Sequence, residues 1–247
     1  MTDQKTPQYY RFNLTFRLQH IILMITFILL AFTGWAMKYP EPTLEHASWL
    51  IRVWGGAKSA GLIHRVAGVT MILDFIWHVL YLFYLLGTGK MKFHPTTTIV
   101  PVPRDIDNFI TNIQYFLGLS DDKPRFGRFN YLQKFDYWAV FWGMGIIGLS
   151  GLALAFPIQA QHFFPQWSLT WIWELLSVLH SDEALLAIVF ILFIHFYNEH
   201  LTLEKFPMHT LWLTGRMSVE EWKHEHPLEY ELELKESQQL REDRKGS

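Results

Sequence analysis

Cysteine is absent, and that absence excludes more chemistry than any other feature of the composition. Without a thiolate the chain holds no disulfide, iron–sulfur cluster, thiolate metal site or covalently attached C-x-x-C-H haem. A metal centre would have to use histidine, carboxylate or methionine. Strong net charge is missing too: 21 Lys and Arg against 23 Asp and Glu leave −2, which suggests no nucleic-acid partner. The first 17 residues are polar with no apolar run, so no cleavable signal is expected, and the first apolar segment should direct insertion. Charge is also scarce locally. The 18% of charged residues crowd into connections and nearly vanish from four long stretches of a chain that is 50% apolar.

Stretches of about 20 apolar residues are what a hydrocarbon layer about 30 Å thick demands of a helix. The first runs from Leu18 to Met37, followed by Pro40, Pro42 and an amphipathic surface stretch from His46 to Trp54. The second runs from Leu62 to Leu86 and stops at Gly87 and Gly89. A long polar connection, Lys90 to Gln133, holds Pro95, Pro101, Pro103 and an amphipathic piece around Ile106 to Leu119. The third span, Phe135 to Phe156, ends at Pro157, and the fourth covers Leu169 to Tyr197. In the charged tail, Ser218 and Glu221 form an S-x-x-E helix-start signal. The expectation is an all-α, multi-pass membrane bundle of four helices over 1–205, with a partly helical cytoplasmic tail over 206–247. Mean hydropathy of only +0.10 reflects the polar connections.

Basic residues near spans mark the cytoplasmic side. Lys5, Arg11 and Arg17 precede span one, and seven Lys and Arg from Lys90 to Lys134 fill the central connection. Pro157 to Trp167 has none, whereas the first loop carries Lys38, Arg52 and Lys58. Both termini and the central loop are therefore expected in the cytoplasm, across a bacterial inner membrane.

The spans contain His20, His64, His78, His180 and His195. Ionisable groups are costly in a membrane and tend to face the bundle interior. His64 and His78 are 14 apart, and His180 and His195 are 15 apart. At 3.6 residues per turn these spacings return to nearly one face, about 40° behind or 60° ahead, and separate the rings by roughly 21–23 Å. One histidine near each side of the bilayer suits two stacked haems held between helices. Depth brings His64 to His180 on the outer side; the inner layer offers His20, His78 and His195 for two axial positions. A lone membrane histidine more often makes an interhelical hydrogen bond, so the argument rests on the layered set.

These residues resemble the cytochrome b (gamma) subunit of formate dehydrogenase-N and the b-type subunits of membrane nickel–iron hydrogenases. The similarity covers most of the chain. It is carried by Arg17-Leu18-Gln19-His20 with Thr33-Gly34 closing span one, and by His64 with Gly68 four residues on. It continues in Arg128 to Lys134, Ile194-His195-Phe196-Tyr197 and His226-Pro227. The resemblance implies two b haems, an outer one held by His64 and His180 and an inner one by His20 and His195. It also implies a quinone site, for menaquinone or ubiquinone, near the inner haem beside Asn130 and Gln133. Two departures stand out. The span-four spacing is one residue longer than in formate dehydrogenase-N, to be absorbed by helix rotation or a bulge. His78 has no counterpart there, and opens a pairing with His195 like that of bc-type cytochromes.

Asp74 is deep in span two, as a proton donor to quinone, an acceptor for a histidine N–H, or a neutral buried acid. Arg17 and Arg65 flank candidate ligands and suit haem propionates, or anchor helix ends at headgroups. Gly143, Gly145, Gly148 and Gly151 permit close helix or porphyrin approach. Asp182 and Glu183 put the outer site near water or a partner, while His224 and His226 read as solvated tail residues. The function expected is electron transfer between quinone and a periplasmic iron–sulfur or multihaem cytochrome subunit, within a lipid bilayer. The rivals are quinone-independent transmembrane transfer and a haem-free anchor. Three haems per chain would bring His78 and His200 in as ligands.

Overall fold

The computed structural model of the chain describes residues 7–38, 47–91, 93–165, 169–201 and 208–246. Pro40, Pro42 and His46, as well as Lys5, Lys92, Trp167 and the expected boundary at 205/206, lie outside these residues. Four helices have the length and composition to cross a membrane: Leu14–Lys38 (α1), Ala57–Gly87 (α3), Tyr131–Ala155 (α5) and the continuous run Thr170–His200. That run comprises α7 (Thr170–Phe190), a π-helical turn (Ile191–His195) and α8 (Phe196–His200). The spans have 25, 31, 25 and 31 residues, about 37–46 Å at 1.5 Å per residue, more than a hydrocarbon layer requires. Each satisfies its own backbone, as lipid demands. Thr26, Thr33 and Ser150 likewise return their hydroxyl protons to carbonyls four residues back, at 2.6–2.7 Å. Phe83, Leu149 and Phe193 are 67%, 72% and 74% exposed, which is what lipid-facing side chains show.

The chain divides into two compact units. One comprises Leu14–Tyr84 and Val140–Trp212, and contains the four-helix bundle. The other is built from Met1–Asn13, Leu85–Ala139 and Leu213–Ser247.

In the second of these, α5 begins at Tyr131, four residues before the expected span, because Asn130 and Gln133 form a reciprocal cap. The Gln133 N–H donates to Asn130 Oδ1 at 2.8 Å and the Asn130 N–H to Gln133 Oε1 at 3.2 Å. Helix α4 (Pro103–Phe116) is tied to that start by Lys134 on Asp105 at 2.9 Å and by Asn112 on the Tyr131 hydroxyl at 2.6 Å. Ile106, Phe109, Ile110 and Ile113 of α4 share one exposed apolar face. Pro157 follows the end of α5 and opens a short α6 (Pro157–Phe163), since proline is tolerated in a first turn. A short α2 (Ala47–Val53) occupies the surface stretch expected there.

The tail is less solvated than its composition implies. After α9 (Leu211–Thr214), β2 (Arg216–Ser218) pairs antiparallel with β1 (Gln8–Tyr10), in register Tyr9 to Met217. Ser218 caps α10 (Val219–Glu225), accepting from the Glu221 N–H at 3.1 Å, as the S-x-x-E pattern anticipates. Tyr9 stacks on Trp222 with centroids 3.7 Å apart. Glu229, at the start of α11 (Pro227–Gly246), is 1% exposed and accepts from Arg11 at 2.8 Å, Arg128 at 2.7 Å and the Trp222 indole at 3.0 Å. Burial alone would raise its carboxyl, but Arg11 and then Arg128 outweigh that and hold it below its ordinary value. Removing one partner of such a buried set costs about 3–5 kcal/mol. His226, expected in solvent, is buried: its Nδ1–H donates to the Gly127 carbonyl at 2.7 Å, while His224 is exposed.

Candidate haem site

Two groups of imidazoles form inside the bundle. Thr33 on α1 touches the first, and His20 on the same helix belongs to the second. They are 13 residues apart, hence about 20 Å along the axis.

In the first group, His64 of α3 and His180 of α7 face each other with ring centroids 6.1 Å apart. Imidazole nitrogen binds a transition metal at about 2.0–2.1 Å, so two rings on opposite sides of one iron hold their centres about 6 Å apart. The pair therefore fits bis-histidine haem ligation. Its tautomers fit as well. The Thr33 hydroxyl gives its only proton to the Leu29 carbonyl at 2.6 Å, so toward His64 Nδ1, 2.9 Å away, it can only accept. His180 Nδ1 lies 3.0 Å from the Ile147 carbonyl, which also only accepts. Both rings thus carry their proton on Nδ1 and present the Nε2 lone pair to a metal, with orientation set by the partner behind.

Both rings also lie against a glycine. A Cβ on Gly34 would lie 3.2 Å from His64 Cε1, and one on Gly151 would lie 2.8 Å from His180 Cε1. The two cradles repeat: Thr33-Gly34 of α1 backs His64, and Ser150-Gly151 of α5 backs His180, with Ser150 Oγ 3.4 Å from Nδ1.

The second group is a triad. His20 of α1, His195 of the π turn and His200 of α8 place one ligand atom each within 4.8 Å of the others. Centroid separations are 6.3 Å for His20–His195, 5.9 Å for His20–His200 and 5.5 Å for His195–His200. Trp212 packs against His20 and His200 at 6.4 and 6.0 Å. The His20–His195 separation suits axial ligation. The π turn, closed by the Phe196 N–H on the Ile191 carbonyl, absorbs one residue. It therefore offsets the extra residue in the 15-residue spacing between His180 and His195, which would otherwise rotate His195 by about 100°.

His78 is placed differently. Its Nδ1 is 3.0 Å from Gln19 Oε1 and its ring lies 6.0 Å from Phe16, so the triad forms without it. Asp74 is 7% exposed, and among the described residues no histidine N–H donates to it. Arg17 has a buried Nε without a hydrogen-bond partner among the described residues. Arg65 is exposed and lines a shallow depression with Ala57, Lys58, Gly61 and Leu62. Lys38 pairs with Asp182 at 2.6 Å near the His64–His180 end. Sequence alone singles out neither Ser150 nor Ile147, gives Gln19 only as part of the motif from Arg17 to His20, and brings in His200 only for a third haem. An S-G or T-G dipeptide about 30 residues before a span histidine is the signal that would have found the cradles.

Four apolar helices with imidazoles opposed across them at metal-bridging distance define a membrane cytochrome of the b type. The chain belongs to the prokaryotic cytochrome b561 family, whose profile matches residues 11–198. It is 25% identical over 228 residues to the cytochrome b556(fdo) subunit of formate dehydrogenase from Escherichia coli K12, covering 89% of this chain and 90% of that protein. The corresponding subunits of Escherichia coli O6:H1 and O157:H7 align to the same extent.

Proposed function

We propose that the chain is the di-haem membrane subunit of a formate dehydrogenase- or hydrogenase-type respiratory complex, with both termini cytoplasmic. The observation that carries this is the occurrence of two imidazole groups in one bundle, each with ring centres close to 6 Å apart. His64 and His180 hold the outer haem, and His20 with His195 the inner one. Haem b supplies one-electron transfer; the protein sets spacing, orientation and access. Arg17 and Arg65 serve the propionates. Electrons pass between a periplasmic iron–sulfur or multihaem partner and quinone, which needs two electrons and two protons to become quinol. The site for that quinone lies on the cytoplasmic side beside Asn130 and Gln133. Their cap engages the Asn130 oxygen, so the Asn130 NH2 is the group that donates to a quinone carbonyl.

The deciding measurement is the haem-to-protein ratio of the purified chain by pyridine haemochrome assay. Two is expected, and His64→Ala lowers it to one. A chain without protoporphyrin would overturn the reading in favour of a haem-free anchor. Asn130→Ala should weaken quinol-dependent haem reduction while leaving the ratio at two.

A further inference from the structure

The two imidazole groups differ in number. His20, His195 and His200 form a nearly equilateral triangle of ring centres, with sides of 6.3, 5.9 and 5.5 Å. Axial ligands stand on opposite faces of a flat macrocycle. A third imidazole equally close to both stands beside the line joining them, in the plane the macrocycle must occupy. One ring of the three must therefore leave when haem is bound. His195 and His200 stand five residues apart on one continuous helical run and cannot flank a macrocycle from opposite faces, so His20 is one axial partner and the ring that leaves is His195 or His200.

His200 is 8% exposed, its Nδ1 has no hydrogen-bond partner among the described residues, and it is as near to His20 as His195 is. The turn Ile191–His195 carries a spare residue, so its backbone can pass between π and α hydrogen bonding while turning His195. We infer that His195 and His200 are interchangeable partners of His20: either one completes the inner bis-histidine site, and the other swings out of the haem plane. This rests on the di-haem reading above.

The test uses the full-length purified chain, with haem stoichiometry and the low-spin signature in absorption and electron paramagnetic resonance as readouts. The His64–His180 haem is the internal control for folding. With wild type at two haems, His195→Ala and His200→Ala should each keep two, both low-spin, with altered inner-haem g-values. The double variant should keep one. Added imidazole should leave both single variants unchanged and restore a low-spin inner haem in the double variant. A loss of the inner haem, or a five-coordinate high-spin signal, in both His195→Ala and His195→Gln overturns the inference; so does either defect in His200→Ala, and so does a double variant retaining two low-spin haems. Wild type with fewer than two haems overturns the underlying di-haem reading instead.

Discussion

The two imidazole groups sit in one bundle, at opposite ends of α1, and are built on opposite plans. At the His64–His180 pair every detail is committed. Each Nδ1–H has a close acceptor behind it, the Thr33 hydroxyl for His64 and the Ile147 carbonyl for His180, each ring lies against a glycine, and the helices are regular where they carry these rings. At the His20–His195–His200 triad, three rings share space for two, Nδ1 of His20 and of His200 has no hydrogen-bond partner among the described residues, and the helix bearing His195 departs from α geometry. The first is a rigid seat, the second an adjustable one.

The widest gap between them should appear when a ligand is removed. His180→Ala leaves His64 with no other imidazole in reach among the described residues, so the outer haem should be lost outright and the ratio fall from two to one. Removing His195 should cost no haem at all. Equal losses would erase the contrast. Next comes the helix itself. Deleting Phe193 shortens the His180-to-His195 spacing to 14 residues, and the π turn can absorb that by becoming α, so two haems should remain. Inserting one alanine after Phe193 adds a second surplus residue and should remove the inner haem, because everything beyond it turns by about 100°. Absorption spectra of the two variants decide the point. An insertion that the turn accommodates would show the seat to be looser than argued.

Much of this was readable before any coordinates. Charge-poor runs located the four spans, because lipid penalises charge more strongly than packing rewards any particular residue. Depth alone brought His64 to His180. The extra residue between His180 and His195 announced a bulge or a rotation, and the π turn supplies the bulge. What escaped was whatever depends on contacts across the bundle. His200 lay beyond the expected end of span four at Tyr197. Ser150 was hidden among glycines read for helix packing, although its hydroxyl stands beside a ring 30 positions away. The pairing of Gln8–Tyr10 with Arg216–Ser218 gave no sign, since three-residue strands carry too little alternation to show. His226 and Glu229 looked solvated because a charged tail usually is, and partners more than 90 residues distant hold them.

Two smaller perturbations probe the rigid seat from behind. Gly151→Ala would set a Cβ 2.8 Å from His180, closer than such atoms approach, whereas Gly34→Ala sets one 3.2 Å from His64. Overpacking of this kind costs about 1–3 kcal/mol, so Gly151→Ala should approach the upper figure and Gly34→Ala the lower. Haem retention during a detergent and temperature series ranks them. The reverse order would mean that His180 can swing aside and is not held as its contacts imply.

The faintest effect separates the two acceptors behind the rings. Thr33→Val keeps the shape and removes the oxygen facing His64 Nδ1–H, leaving a buried donor unsatisfied at a cost of about 1–3 kcal/mol. Ser150→Ala removes an oxygen 3.4 Å from His180 Nδ1, but the Ile147 carbonyl at 3.0 Å still accepts that proton. The cradles look alike in sequence, T-G and S-G, yet only the threonine is the ring's main acceptor. Thr33→Val should therefore shift the outer haem's midpoint potential, because an imidazole that loses its Nδ1 acceptor becomes a poorer donor to iron. Ser150→Ala should leave it nearly unmoved. A redox titration followed at the outer haem's absorption band reads both, and equal shifts would mean that Ser150, not Ile147, receives the His180 proton.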